Sequence, residues 1–225
     1  MGIVEISKYK FNSELIMKNN SIVIDHLLFK CEKCASCCKD WKGTIYISIG
    51  EIESIANHLN LTLEEIFNKF IHFEEEFFIV DNTELKLTYF VVNQINNRCV
   101  FLKENNECII HEVKPFLCKI FPFWSIIMKD KEKFSEYSRK CKGLNRENGI
   151  FYDINKIKEL LNQEENYLQN INKIALIMNT IDESELLENI FDLIDPDLTM
   201  DEDALEYLKK NIIIEKIRIL INQNS

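Results

Sequence analysis

CEKCASCC, residues 31–38, decides how the rest of this chain is read. Cys31, Cys34, Cys37 and Cys38 follow the spacing C-x2-C-x2-C-C. Two intervening residues let successive thiolates turn toward one centre, which is why this spacing recurs in zinc and iron–sulfur sites. In a helical or turn-like segment, positions 31, 34 and either 37 or 38 share a face. Cys37 and Cys38 are adjacent, so their side chains are expected to leave the backbone in different directions. One of them is then expected to face a second metal, a bridging position in a cluster, or the core.

Working outward, the remaining cysteines are Cys99, Cys108, Cys118 and Cys141, and the last 84 residues contain none. That segregation favours a shared ligand role over eight separate buried small hydrophobes. The four late cysteines are too far apart for a local knuckle, but each lies where folding can deliver it. Cys99 is expected to start a strand, Cys108 follows the turn KENNE, Cys118 lies between Pro115 and Pro122, and Cys141 precedes Gly143. Four clustered and four dispersed thiolates fit either one shared polynuclear site or two sites of about four ligands each.

The compartment determines what free cysteines mean. The first twenty residues, MGIVEISKYKFNSELIMKNN, alternate apolar and charged residues and lack the apolar core of a secretory signal. No apolar run reaches the roughly 18–20 residues that span a bilayer. A cytoplasmic location without membrane attachment is therefore expected, where thiols stay reduced and bind metal rather than pair as disulfides. Charge is informative by position. Residues 1–152 carry 21 acidic and 20 basic side chains, residues 153–225 carry 16 and 7, and the whole chain has a net charge of −10. There is no basic stripe, so nucleic acid is not an expected partner. The acidic C-terminal third is instead a candidate surface for a basic protein partner.

The flanks give the fold class. Ser48 with Glu51, and Thr62 with Glu65, form two capping boxes ahead of apolar faces, which predicts a helical hairpin within 45–72. FFIV, LKLTYFVV and RCVFL, within 77–102, are β-branched and aromatic and predict a small antiparallel sheet. Pro115 is placed to start a short helix carrying Cys118, and Pro122 to end it. Amphipathic helices are expected over 153–172, 182–194 and 199–221, with Asp153, Asp182 and Thr199 as caps. The expected architecture is α+β and mostly helical, with a small antiparallel sheet around a cysteine metal site. Residues 1–150 form the cysteine-rich domain, and 151–225 an acidic helical extension that packs on it or docks a partner. The five glycines form no nucleotide-binding pattern.

With these residues in view, the chain resembles the CxxCxxCC cysteine-cluster proteins, described as zinc- or iron-chelating domains. CEKCASCC, then CVFL, then CIIHEVKPFLCKIFPFW, then CKG follow that family's pattern over about residues 29–144, and all eight cysteines fall on its positions. The resemblance implies metal binding by Cys31, Cys34, Cys37, Cys38, Cys99, Cys108, Cys118 and Cys141. A related motif in flagellin lysine N-methylases implies a protein-modification role for some members. Lys114 and Lys119 stand where the family usually has arginine, and Lys142 replaces its usual proline. Lysine keeps the charge and loses the bidentate fork.

The expected function is therefore a protein that holds zinc or iron through thiolates, as mononuclear sites or a cluster. The alternative is an iron or iron–sulfur dependent enzyme or enzyme subunit, with protein modification such as lysine methylation as one activity. No nucleophile–base pair in the sequence supports assigning catalytic residues. His111, near Cys108 and Cys118, is read as a packing or hydrogen-bonding residue before it is read as a ligand. Phe116, Phe121, Phe123 and Trp124 are expected to exclude water from the metal.

Overall fold

A computed structural model describes residues 21–39, 43–80, 83–144, 146–180 and 211–219. Among the described residues are helices α1–α7 (within 36–180), a further helical segment at 211–219 and three two-stranded antiparallel sheets, an α+β and mostly helical arrangement. The expected helices over 182–194 and the first half of 199–221 lie outside the described residues, as do the caps Asp182 and Thr199.

The helical hairpin forms as its capping residues dictate. Both α2 (Ile49–Leu59) and α3 (Leu63–Lys69) start with a reciprocal capping box, at Ser48/Glu51 and at Thr62/Glu65. Each box satisfies two of the amide groups that a helix start leaves without partners. Asn60 ends α2 in the left-handed region (φ 52°), where its N–H reaches back to the last helical carbonyls. Ile52, Ile55, Ile66 and Phe67 point from this hairpin into the larger core.

The expected single sheet is instead two separate hairpins. Strand β2 (Ile71–Val80) pairs with β3 (Thr83–Val92), from Ile71 opposite Val92 to Val80 opposite Thr83. RCVFL does not extend this ladder. Its first two residues pair back on Gln94-Ile95, as β4 (Gln94–Ile95) and β5 (Arg98–Cys99). The reason is the intervening Asn96-Asn97, both at positive φ, which is the two-residue turn chemistry of a tight hairpin. Thus NQINN is a turn that folds Cys99 back, where the sequence suggested a spacer.

Strand β3 is covered on both faces. Phe90 and Val92 enter the core built on α2 and α3, whereas Leu87 and Tyr89 meet the C-terminal helix. That helix, α7 (Ile154–Thr180), starts as expected with Asp153 accepting from the Lys156 amide at 2.8 Å. It continues past 172, because Ala175, Leu176 and Met178 keep burying apolar surface. Residues 211–219 are helical as well, and Ile213, Ile214 and Ile217 join Met178 in the larger core. Buried Lys216 donates to the Met178 carbonyl at 2.9 Å.

A second core forms around β1 (His26–Phe29), which pairs with β6 (Ile150–Asp153). Leu27, Phe29, Phe121, Phe123, Ile127, Met128, Ile157 and Leu161 fill it, and Cys141 is part of it. Helix α7 reaches both cores, through Ile157 and Leu161 at its start and Met178 near its end, and between them Ile171 and Ala175 form a third cluster with Leu87 and Tyr89. Each such aliphatic side chain contributes about 1.5–3 kcal/mol on full burial. Three shorter helices, α4 (Phe116–Ile120), α5 (Ser125–Met128) and α6 (Lys131–Lys140), connect the β5 region to Cys141. Pro115 is the N-cap of α4, and Pro122 follows its end, as the sequence predicts.

Candidate metal centre

All eight cysteines are free thiols; Cys31 and Cys37 are exposed, Cys141 is buried and the other five are half-buried. Cys99 and Cys108 pack against the larger core, while Cys141 belongs to the smaller one. The segment 31–38 crosses between them and ends in α1 (Ser36–Lys39). Its backbone is tightly curled: Lys33 (φ 51°) and Ala35 (φ 60°) both adopt the left-handed region without being glycine. Such residues cost free energy and persist only where the surroundings hold them.

One group of sulfurs gathers around Cys38. Helix α1 contacts β5, which carries Cys99. Lys39 Nζ donates to Asn106 Oδ1 at 3.1 Å, tying α1 to the turn before Cys108. Cys108 forms a bridge with Leu102, whose amide in turn donates to the Cys99 carbonyl at 3.0 Å. Cys118 arrives on α4 and feels the charges of Cys38, Cys99 and Cys108. Burial pushes the Cys99 thiol up to about 11 and raises Cys108 and Cys118, and the neighbouring sulfurs push all three further. Lys114 opposes this: its positive charge lowers Cys38, Cys108 and Cys118. Lys119, by contrast, is exposed.

Cys37 and Cys38 do not diverge as adjacent cysteines were expected to. Their Sγ atoms stand 3.7 Å apart. Two thiolates on one tetrahedral zinc, each about 2.3 Å from the ion, are separated by about 3.8 Å. The shared hydrogen bond with Cys37, followed by burial, raises the Cys38 thiol far above its ordinary value. The short α1 turn starting at Ser36 brings both side chains to one side.

A second group comprises Cys31, Cys34 and Cys141. The Lys30 amide donates to the Gly143 carbonyl at 3.0 Å, Phe29 bridges to Leu144, and Arg146 pairs with Glu32 at 3.3 Å. These contacts lay the start of CEKC along CKGL. Burial raises the buried Cys141 thiol, and the charges of Cys34 and Cys31 add to the effect. Burial also pushes on Cys34, but hydrogen bonds from Ser36 and from the Lys142 backbone outweigh it and hold Cys34 below the usual thiol value. Cys34 also bears on Cys38, so the two groups are neighbours.

Thiolate donors of this number suit zinc or iron in their chemistry. Among the described residues, no group of three or more Cys, His, Asp or Glu side chains already stands at coordination spacing. Rotation between staggered wells moves a cysteine sulfur by about 3 Å, a reach that matches neighbourhoods rather than closed shells. His111 is exposed in the turn after Cys108. His58 meets the Ile109 carbonyl at 3.2 Å and His72 meets Asn93 at 2.6 Å, so both have partners away from the sulfurs. Of the expected aromatic shell, Phe121 and Phe123 are buried beside Cys141, while Phe116 lies against Tyr167 with ring centroids 4.9 Å apart.

Sequence reading missed the side chains that set the position of α4. Glu51, read only as a helix cap, also accepts from the Phe116 amide at 2.7 Å and from the Tyr167 hydroxyl at 2.6 Å. Burial, then the Glu51 charge, raises the Tyr167 phenol, and the charge of Cys118 reaches it too. No periodicity carries that signal, since the partners lie 65 and 116 positions from Glu51.

No solved structure matches this fold closely enough to carry a comparison. A family model does match residues 30–142, the stretch that contains every cysteine. The chain therefore belongs to the CxxCxxCC family, described as "Putative zinc- or iron-chelating domain".

Proposed function

We propose that this protein binds zinc or iron through its eight cysteine thiolates, divided between two adjacent centres. The inner centre draws on Cys37, Cys38, Cys99, Cys108 and Cys118; the outer on Cys31, Cys34 and Cys141. What supports this reading is that the charge of Cys38 acts on Cys99, Cys108 and Cys118, from segments 61 to 80 residues away, and that Lys114 opposes it at Cys38, Cys108 and Cys118. Burying several thiols together has no benefit for a hydrophobic core that an aliphatic residue would not supply better. As metal ligands they become anions whose charge the ion and Lys114 offset. The reading requires a reducing compartment, the cytoplasm.

The experiment is anaerobic purification of the full chain, followed by metal analysis, inorganic sulfide determination and a visible spectrum. Zinc or iron bound stoichiometrically supports the proposal. A chain that carries no metal and takes up none on anaerobic reconstitution overturns it.

A second reading, an iron–sulfur or iron-dependent enzyme or subunit, draws on one observation. The charge of Cys34 acts on Cys38 across the two groups, which supports a single shared centre. Sulfide with visible absorption selects it; colourless zinc rejects it. The acidic C-terminal third remains our candidate surface for a basic protein partner, tested by neutralising acidic residues within 181–210 and measuring complex formation at low and high salt.

A further inference from the structure

Cys37 and Cys38 place two sulfurs 3.7 Å apart, with Cys37 exposed and Cys38 half-buried. The turn that presents them is anchored. The Cys38 amide donates to the Ala35 carbonyl at 2.9 Å, Ser36 is buried, and Lys39 Nζ donates to Asn106 Oδ1 at 3.1 Å.

Two chemistries could close such a pair, and the backbone separates them. The peptide bond between the two residues is trans. It sets consecutive Cα atoms about 3.8 Å apart, short of the roughly 4.4–6.8 Å that a disulfide spans. Direct oxidation therefore strains the turn. A bridge through one atom does not, because the sulfurs already stand near the spacing that bonds of about 2.3 Å to a shared centre require.

The number of donors then selects the ligand. Structural zinc takes four, and among the described residues no three Cys, His, Asp or Glu side chains stand ready for one ion. A monosubstituted trivalent arsenic takes two sulfurs and keeps its third bond to carbon. Its softness directs it to thiols rather than to carboxylates or amines. The adduct with two thiols is neutral, so it places no charge at half-buried Cys38. Exposure of Cys37 leaves room for the organic substituent.

We propose that Cys37 and Cys38 form a vicinal dithiol site for monosubstituted trivalent arsenicals. With an arsenoxide the step is a condensation. Both S–H bonds and the arsenic–oxygen bond break, two As–S bonds form, and the two protons leave with the oxygen as water. No oxidation state changes. The site does not depend on the two-centre reading above, since it needs these two thiols alone.

The test uses the reduced full chain, stripped of metal and mixed anaerobically with one equivalent of phenylarsine oxide. Mass spectrometry of the intact chain and its peptides locates the adduct. One phenylarsenic group per chain is expected, on the peptide that carries Cys37 and Cys38. Excess glutathione, a monothiol, should fail to displace it, because the second sulfur closes intramolecularly; 2,3-dimercaptopropanol should remove it. Cys37→Ser and Cys38→Ser should each raise the sensitivity to glutathione roughly a hundredfold. Cys31→Ser and Cys34→Ser should leave it unchanged. An adduct on other cysteines, or one whose retention survives Cys37→Ser, overturns the proposal.

Discussion

Glu51 and Phe116 are joined by a 2.7 Å hydrogen bond from the Phe116 amide to Oε1, the start of one helix clamped by the capping carboxylate of another. The second oxygen, Oε2, accepts from the Ser48 amide and hydroxyl, both at 2.9 Å, and from Tyr167 at 2.6 Å. One carboxylate therefore fixes α2, α4 and α7 relative to one another, and with α4 the position of Cys118. Replacing Glu51 with Ala removes a cap and leaves at least two partly buried donors without an acceptor. A loss of about 2–4 kcal/mol is expected in urea denaturation of the metal-loaded protein. Tyr167→Phe removes one of these bonds and should cost about 1 kcal/mol.

Gly143 is required where the two backbones meet. A Cβ there would collide with the Lys30 carbonyl, a backbone atom that cannot swing aside. Gly143→Ala should therefore cost about 2 kcal/mol or more and separate Cys31 from Cys141. Metal stoichiometry is the measurement: the outer ion should be lost before the inner one.

The charge of Lys114 acts on three of the inner thiols, Cys38, Cys108 and Cys118. Lys114→Gln should weaken retention of the inner ion about tenfold, equivalent to ~1.4 kcal/mol, in chelator competition. Lys114→Arg keeps the charge and should retain near-normal affinity.

Because burial raises Cys99, Cys108, Cys118 and Cys141, these thiols are protonated in the metal-free protein at neutral pH. Metal binding must expel those protons. Affinity should accordingly strengthen as pH rises from 6 to 8, and calorimetry in buffers of different ionisation enthalpy should show release of more than two protons for the inner ion. Metal removal should raise hydrogen exchange in 31–38, 98–120 and 139–146 while β2, β3 and α7 stay protected.

Buried Glu164 accepts from the Ser125 amide at 2.7 Å and its hydroxyl at 2.5 Å. Burial raises its carboxyl above the usual value, against the pull of those two bonds and of Lys129, and with a push from Glu165. A carboxyl raised on folding contributes stability below its unfolded value of 4.5, and that contribution is lost as pH rises through the folded value. Glu164→Gln, which keeps an acceptor and removes the charge, should be at least as stable as the parent at pH 7. Melting curves at pH 4 and pH 7 should show that margin shrinking toward the acid side.

Much of this was legible along the chain because it depends on near neighbours. The capping boxes at Ser48 and Thr62, the α4 start at Pro115 and the cap at Asp153 are interactions over three or four residues, and sequence spacing alone determines them. The cysteine pattern, likewise, sufficed to identify the family. The hairpins were less legible: Asn96-Asn97 reads equally as spacer or tight turn until the register of β3 leaves RCVFL without a place in its ladder.

The tertiary structure decided the rest. Which sulfurs lie near Cys38 and which near Cys141, that Cys37 and Cys38 face one another, and that Glu51 holds α4 all depend on contacts between residues far apart in the chain. Local chemistry specifies what each segment can form and which atoms can bind a metal. Only the packing of apolar clusters on α7 decides how segments far apart in the chain meet, because the burial that drives it acts over the whole surface and leaves no periodic mark at any single cysteine.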